Sequence, residues 1–164
     1  MRMTSTLTAG TLAAGLVAAG MAASPALAID LSESVDVAAS PADAWAAIAD
    51  WCSIADWHPV IASCEAYEED GKTLRKLTTG DGGVLIEELN EKDEGEMFFT
   101  YSILESPLPI ANYISTMRVG ENGDGSTVTW SSSYGANGVS DDEALELMTG
   151  IYRAGLDELK AKLD

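Results

Sequence analysis

At 164 residues, with 27 acidic side chains against nine basic ones and a formal net charge of −18, this is a strongly acidic chain. Its field repels phosphate backbones and anionic membranes, which excludes nucleic acid as a partner. An acidic surface suits solubility, or docking to a basic protein.

The first predicted element is a leader. Met1-Arg2-Met3 starts positive, Leu7 to Ala23 is rich in Ala, Leu, Gly and Val, and Ser24-Pro25-Ala26-Leu27-Ala28 ends in an A-x-A-like small-residue site. Residues 1–28 therefore read as a signal peptide cleaved after Ala28, and the protein as exported, periplasmic or secreted. An uncleaved anchor is the alternative, but the run is short and Ala/Gly-rich for a span of about 20 residues. No stable membrane span is expected after cleavage. Residues 29–164 are long enough for one domain with a single core.

A strand is predicted over 32–37. Ser40-Pro41-Ala42-Asp43 then opens a helix running to about Asp50, with Ser as N-cap, Pro in the first turn and an acid behind it. A second short helical piece covers 51–57 and stops at Pro59. Six strand signals follow, over 60–67, 73–78, 84–91, 96–104, 111–119 and 126–134. The stretches between them, such as Glu69-Asp70-Gly71, Gly80-Asp81-Gly82-Gly83 and Glu121-Asn122-Gly123-Asp124-Gly125, are hairpin turns, so the sheet is an antiparallel meander. Glu105-Ser106-Pro107-Leu108-Pro109 is a stiffer connection that carries an exposed leucine. A long helix from Ser140 to Leu163 ends the chain, opened by the capping box Ser140-Asp141-Asp142-Glu143. Its apolar stripe is Leu145, Met148, Tyr152, Leu156, Leu159 and Leu163. Gly150 and Gly155 interrupt that helix, either for close packing on the sheet or to leave room for a ligand.

A curved antiparallel sheet can cover one face only against something, and the terminal helix is the only large element available. The fold class is α+β, a seven-stranded antiparallel sheet wrapped around a long C-terminal helix. Side chains two apart in a strand share a face. That places Glu87 with Leu85 and Leu89, and Arg75 with Leu77 and Thr79. Tyr101 falls with Phe99, Tyr113 and Ser115 with Met117, and Ser132 and Tyr134 with Trp130. His58, the only histidine, is in phase with Val60, Ala62 and Cys64. An ionised Glu87 among leucines needs a partner, for which Arg75 and His58 are candidates. Apolar walls with a few convergent polar groups describe a small-molecule pocket, and equally a packed core with one satisfied ion pair. Cys52 and Cys64 either form a disulfide or remain buried thiols. Cys52, Asp56, His58 and Cys64 lie close in sequence but match no usual zinc spacing, so neither metal nor cofactor is called for.

Taken in order, Ser40-Pro41-Ala42-Asp43-Ala44-Trp45, Trp57-His58-Pro59, Ile61-Ala62-Ser63-Cys64-Glu65, Gly82 through Leu89, Tyr101 through Pro109, Asn112-Tyr113 and Gly150 through Leu156 make a specific set. With this set the chain resembles the helix-grip superfamily of START-related lipid carriers, birch-pollen-allergen-like proteins and polyketide cyclase/dehydrase-like proteins, the SRPBCC group. The resemblance implies a cavity for a hydrophobic or amphipathic small molecule between sheet and helix. Within the group the chain is similar to plant hormone receptors of this fold. By that likeness His58 stands where those receptors place a ligand-facing lysine, and Glu87, Tyr113, Ser115 and Ser132 fall on polar pocket positions. Thr79-Gly80-Asp81-Gly82 and Ser106-Pro107-Leu108-Pro109 would flank the mouth. The lysine and the last-strand acid of those receptors are missing, so their ligand does not carry over.

The expected ligand-binding set is His58, Val60, Arg75, Leu77, Leu85, Glu87, Tyr101, Leu108, Tyr113, Ser115, Ser132, Tyr134, Met148, Ile151 and Gly155. Three functions are compatible with it. The first is a binding or carrier protein. The second is an accessory factor for an exported partner such as a periplasmic dehydrogenase. The third is a cyclase- or dehydratase-like enzyme with His58 as acid/base, tuned by Glu87 or Arg75, and Tyr113 polarising a carbonyl.

Overall fold

The computed structural model describes residues 28–164. The expected signal peptide lies outside the described residues except for Ala28. Seven strands form one antiparallel sheet: β1 (Ile29–Val37), β2 (Ile61–Glu69), β3 (Lys72–Thr79), β4 (Val84–Asp93), β5 (Phe98–Glu105), β6 (Ile110–Asn122) and β7 (Gly125–Ala136). The helices are α1 (Pro41–Ile48), α2 (Ile54–Trp57) and α3 (Asp141–Leu163). The sheet order is β1-β7-β6-β5-β4-β3-β2, so each hairpin neighbour in sequence is a neighbour in space and only β1 reaches across to the far end. This is the helix-grip arrangement expected from the sequence.

Local chemistry explains the helix starts. The Ser40 hydroxyl oxygen accepts the Asp43 N–H at 3.3 Å ahead of Pro41, using one of the four amides that a helix cannot satisfy internally. At α3 the Ser140 oxygen accepts the Glu143 N–H, and Glu143 Oε2 accepts the Ser140 N–H at 2.9 Å, a complete capping box. The far end of α3 is tied back beside β1. Leu163 O accepts the Ala39 N–H at 3.1 Å, and Arg153 pairs with Glu33 at 2.8 Å. Ala144, Met148, Tyr152, Gly155, Leu156 and Leu159 face the sheet. Among the described residues, no helix is long and apolar enough to cross a membrane.

Three sequence expectations need correction. Leu145 is 37% exposed and Ala144 takes its place against the sheet, where a small side chain lets the first turn of α3 approach closely. β5 begins at Phe98 rather than Glu96, because Glu94 to Met97 form a turn in which Met97 has a φ of 49°. The supposed alternation from His58 to Cys64 does not exist. His58 caps α2, Pro59-Val60 is a turn, and β2 carries an irregularity between Ile61 and Ser63. An extra residue flips the phase of everything beyond it, so Ile61 and Cys64 pack on the core while Ala62 is exposed. Cys52 and Cys64 form a disulfide, joining the α1–α2 connection to β2.

Candidate functional site: a cavity between sheet and helix

A cavity of about 360 Å³ lies between the concave face of the sheet and α3. Its walls are Ile54 of α2, Leu85 of β4, Ile103 of β5, Tyr113 of β6, Trp130 of β7, and Met148, Ile151 and Tyr152 of α3. The mouth is bounded by Val60 and Ile61, by Thr79, Asp81, Gly82 and Gly83 at the β3–β4 turn, and by Pro107 and Leu108. Both loops that the resemblance assigned to the mouth contribute to it.

His58 is only 3% exposed, and protein groups engage both its ring nitrogens. Nε2 lies 3.1 Å from the Ile151 carbonyl, which can only accept, so this nitrogen carries the proton. Nδ1 accepts the Val60 N–H at 3.4 Å. Burial lowers the imidazole to about 4 from 6.5, against a smaller upward pull from the Ile151 carbonyl. The ring is therefore neutral at pH 7. The candidate pairing of His58 with Glu87 is not formed, because backbone groups engage both ring nitrogens.

Gly155 makes this contact possible. In a helix the Ile151 carbonyl faces the residue four positions on. A Cβ at Gly155 would sit 2.5 Å from His58 Cδ2 and 3.0 Å from Trp57 Cζ3. The glycine is thus a notch for the imidazole, which decides between the two readings of it: packing, with no ligand space beneath. Gly150 faces open space.

Glu87 and Arg75 stand directly opposite each other on β4 and β3. Arg75 Nε donates to Glu87 Oε2 at 2.6 Å, with side chains 2% and 4% exposed. Arg75 Nη1 donates to the Trp51 carbonyl at 2.5 Å, and its guanidinium lies 3.7 Å over the Trp51 ring. Burial raises the Glu87 carboxyl and Arg75 opposes that rise. The pair satisfies itself within the core and does not line the cavity.

The polar end of the cavity consists of hydroxyls. Tyr113 OH is hydrogen-bonded to Tyr152 OH and lies 3.3 Å from Tyr101 OH. Tyr152 OH is 3.3 Å from Ser115 Oγ. Trp130 Nε1 donates to Ser115 Oγ at 3.0 Å and to Tyr101 OH at 3.1 Å, and its ring stacks on Tyr152 with centroids 4.1 Å apart. Burial holds Tyr113 well above the usual phenol range and raises Tyr152 to about 12, so both stay protonated.

Of the fifteen residues expected at a ligand, His58, Val60, Leu85, Leu108, Tyr113, Met148 and Ile151 line the cavity. Arg75, Leu77, Glu87, Tyr101, Ser115, Ser132, Tyr134 and Gly155 do not. Tyr101 and Ser115 reach it through the hydroxyl network. Trp130 and Tyr152 were missed, although Trp130 is in phase with Ser132 and Tyr152 lies on the α3 stripe. The disulfide removes both thiols from the Cys52, Asp56, His58, Cys64 set. Among the described residues, no group of three His, Cys, Asp or Glu is placed to hold a metal ion.

Solved structures share this architecture. The protein XoxI from Bacillus cereus is 35% identical with a TM-score of 0.76, over 82% of this chain and 94% of that one. An uncharacterised protein from Bacillus thuringiensis is 34% identical with a TM-score of 0.76, over 82% of this chain and 98% of that one. The Zhui aromatase/cyclase from Streptomyces sp. R1128 is 18% identical with a TM-score of 0.69, over 83% and 93%, a likeness of fold alone. No curated protein matches the chain in sequence. The family described as polyketide cyclase / dehydrase and lipid transport matches residues 28–164, and the chain belongs to that family.

Proposed function

We propose that this protein is an exported carrier or binding protein for a hydrophobic small molecule held between the sheet and α3. The observation that carries the reading is the cavity, walled by Ile54, Leu85, Ile103, Met148 and Ile151 and entered between two loops. Concave, mostly apolar space with a few placed polar groups is what small-molecule sites share. The leader-like first 28 residues and the Cys52–Cys64 disulfide support export, since disulfides persist in oxidising compartments. A general acid/base role for His58 is the weaker reading. Both of its ring nitrogens are engaged by the backbone, and Glu87 is paired elsewhere.

Native mass spectrometry of the mature protein, purified gently from its own cell envelope, tests the proposal. A reproducible bound mass, displaced when Leu85→Trp fills the cavity, is the expected outcome. Protein that arrives empty, and stays empty after incubation with envelope lipid extract, would sink the carrier reading.

A further inference from the structure

With all of its contacts made, the hydroxyl cluster at the polar end of the cavity allows a single direction of donation. Ser115 Oγ donates to the Ser131 carbonyl at 2.8 Å, which uses its one hydrogen. In the contact between Ser115 and Tyr152 the phenol is therefore the donor. With the Tyr152 hydrogen used, Tyr113 is the donor in the bond between the two phenols. By the same step Tyr101 donates to Tyr113. The chain runs one way, from Tyr101 through Tyr113, Tyr152 and Ser115 to a backbone carbonyl.

The remaining side-chain donors on the wall are also engaged. Trp130 Nε1–H goes to Ser115 and Tyr101, and His58 Nε2–H to the Ile151 carbonyl. The Thr79 hydroxyl donates to Asp81 Oδ1 at 2.5 Å. On the wall itself acceptor capacity is what remains: lone pairs on the phenol oxygens of Tyr113 and Tyr152 inside, and the Asp81 carboxylate at the mouth; the unpartnered hydroxyls of Ser132 and Tyr134 lie off the wall. Among the described residues, no lysine or arginine lines the cavity. His58 is neutral there, and the Thr79 hydroxyl, with a smaller contribution from the Gly83 N–H, holds the Asp81 carboxyl below its usual value.

Building on the carrier reading above, we propose that the ligand is an uncharged apolar molecule that presents a hydroxyl or N–H donor to the oxygens of Tyr113 and Tyr152. A ligand with acceptors only would face oxygen against oxygen. A carboxylate or phosphate would enter an apolar space with no cation and no free side-chain donor on its wall, at a large cost in desolvation.

Calorimetric titration of the oxidised, folded protein at pH 7 with three probes on one ring system tests this. 2-Naphthol carries a donor, 2-fluoronaphthalene is similar in size without one, and 2-naphthoate is an anion. 2-Naphthol is expected to bind about tenfold more tightly than 2-fluoronaphthalene, the worth of one net hydrogen bond. It is expected to bind at least about a hundredfold more tightly than 2-naphthoate. In Tyr113→Phe the ratio of 2-naphthol to 2-fluoronaphthalene affinity should fall toward one. If 2-fluoronaphthalene or 2-naphthoate matches 2-naphthol, this inference is overturned while the carrier reading stands. An unchanged ratio in Tyr113→Phe overturns it equally, and if that variant does not fold the comparison of probes on the native protein decides alone. Absence of binding by all three overturns this inference, while the carrier reading is decided by the bound mass of the native protein.

Discussion

His58 and Gly155 act as one unit, because the imidazole occupies the space that a side chain on α3 would fill. Burial depresses the imidazole, so folding favours its neutral form. The stability this contributes is complete above pH 6.5 and is lost as pH falls through about 4. It is on the order of 3 kcal/mol in full. Glu87, whose carboxyl is raised, works in the opposite direction in acid, so the test compares wild type with His58→Leu. Urea denaturation between pH 4 and 7 should show wild type losing more stability than the variant, and parallel curves would remove the effect. At Gly155 two effects compete. Alanine gains up to about 1 kcal/mol in helix propensity. Its Cβ would stand 2.5 Å from His58 Cδ2, an overpacking that costs about 1–3 kcal/mol and wins. Gly150→Ala meets nothing within 4 Å and should stabilise by up to ~1 kcal/mol. Denaturation midpoints that move the same way for both variants would refute the notch.

Within β3 and β4 the Arg75–Glu87 pair illustrates how a strand carries a charge through an apolar core. Cross-strand register sets the two side chains face to face, and the Trp51 carbonyl and ring take the rest of the guanidinium. Removing one partner leaves the other buried and unpaired, so Arg75→Met or Glu87→Leu alone should each cost about 3–5 kcal/mol. The double variant should recover most of that loss, since apolar replacements of similar volume satisfy the same space. A double-mutant cycle by chemical denaturation measures this directly, and additive losses would contradict it. The pairing was legible as an option in the strand alternation of Arg75 with Leu77 and of Glu87 with Leu85 and Leu89. Alternation ranks faces and says nothing of partners, so it left His58 in contention until the register was seen. At β2 alternation failed outright. The extra residue between Ile61 and Ser63 leaves no mark on composition, because an alanine or serine fits a bulge and a regular strand alike.

For the molecule as a whole, the disulfide fastens the stretch before α2, and with it His58 and the cavity mouth, to the edge strand of the sheet. It closes a loop with a sequence separation of 12, for which restriction of the unfolded chain is worth about 2–4 kcal/mol. The doubly substituted Cys52→Ala/Cys64→Ala protein should therefore melt roughly 10 °C below the oxidised wild type. A calorimetric melting point within about 2 °C of wild type would show that the bridge adds no stability. By itself the sequence determined the seven strands, the hairpin order and the terminal helix, because Gly–Asp turns, capping boxes and periodicity act within a few residues of one another. It also determined which positions face inward along most strands, since a pleat alternates wherever it is regular. Only the tertiary structure decided that the two cysteines bond, that Gly155 receives His58, and that Glu87 is paired behind the cavity. It alone assigned Tyr152 and Trp130 to the wall and gave the hydroxyl chain its direction. Those outcomes depend on distances between residues far apart in the chain, and a hydrogen has one acceptor only once the oxygens around it have positions.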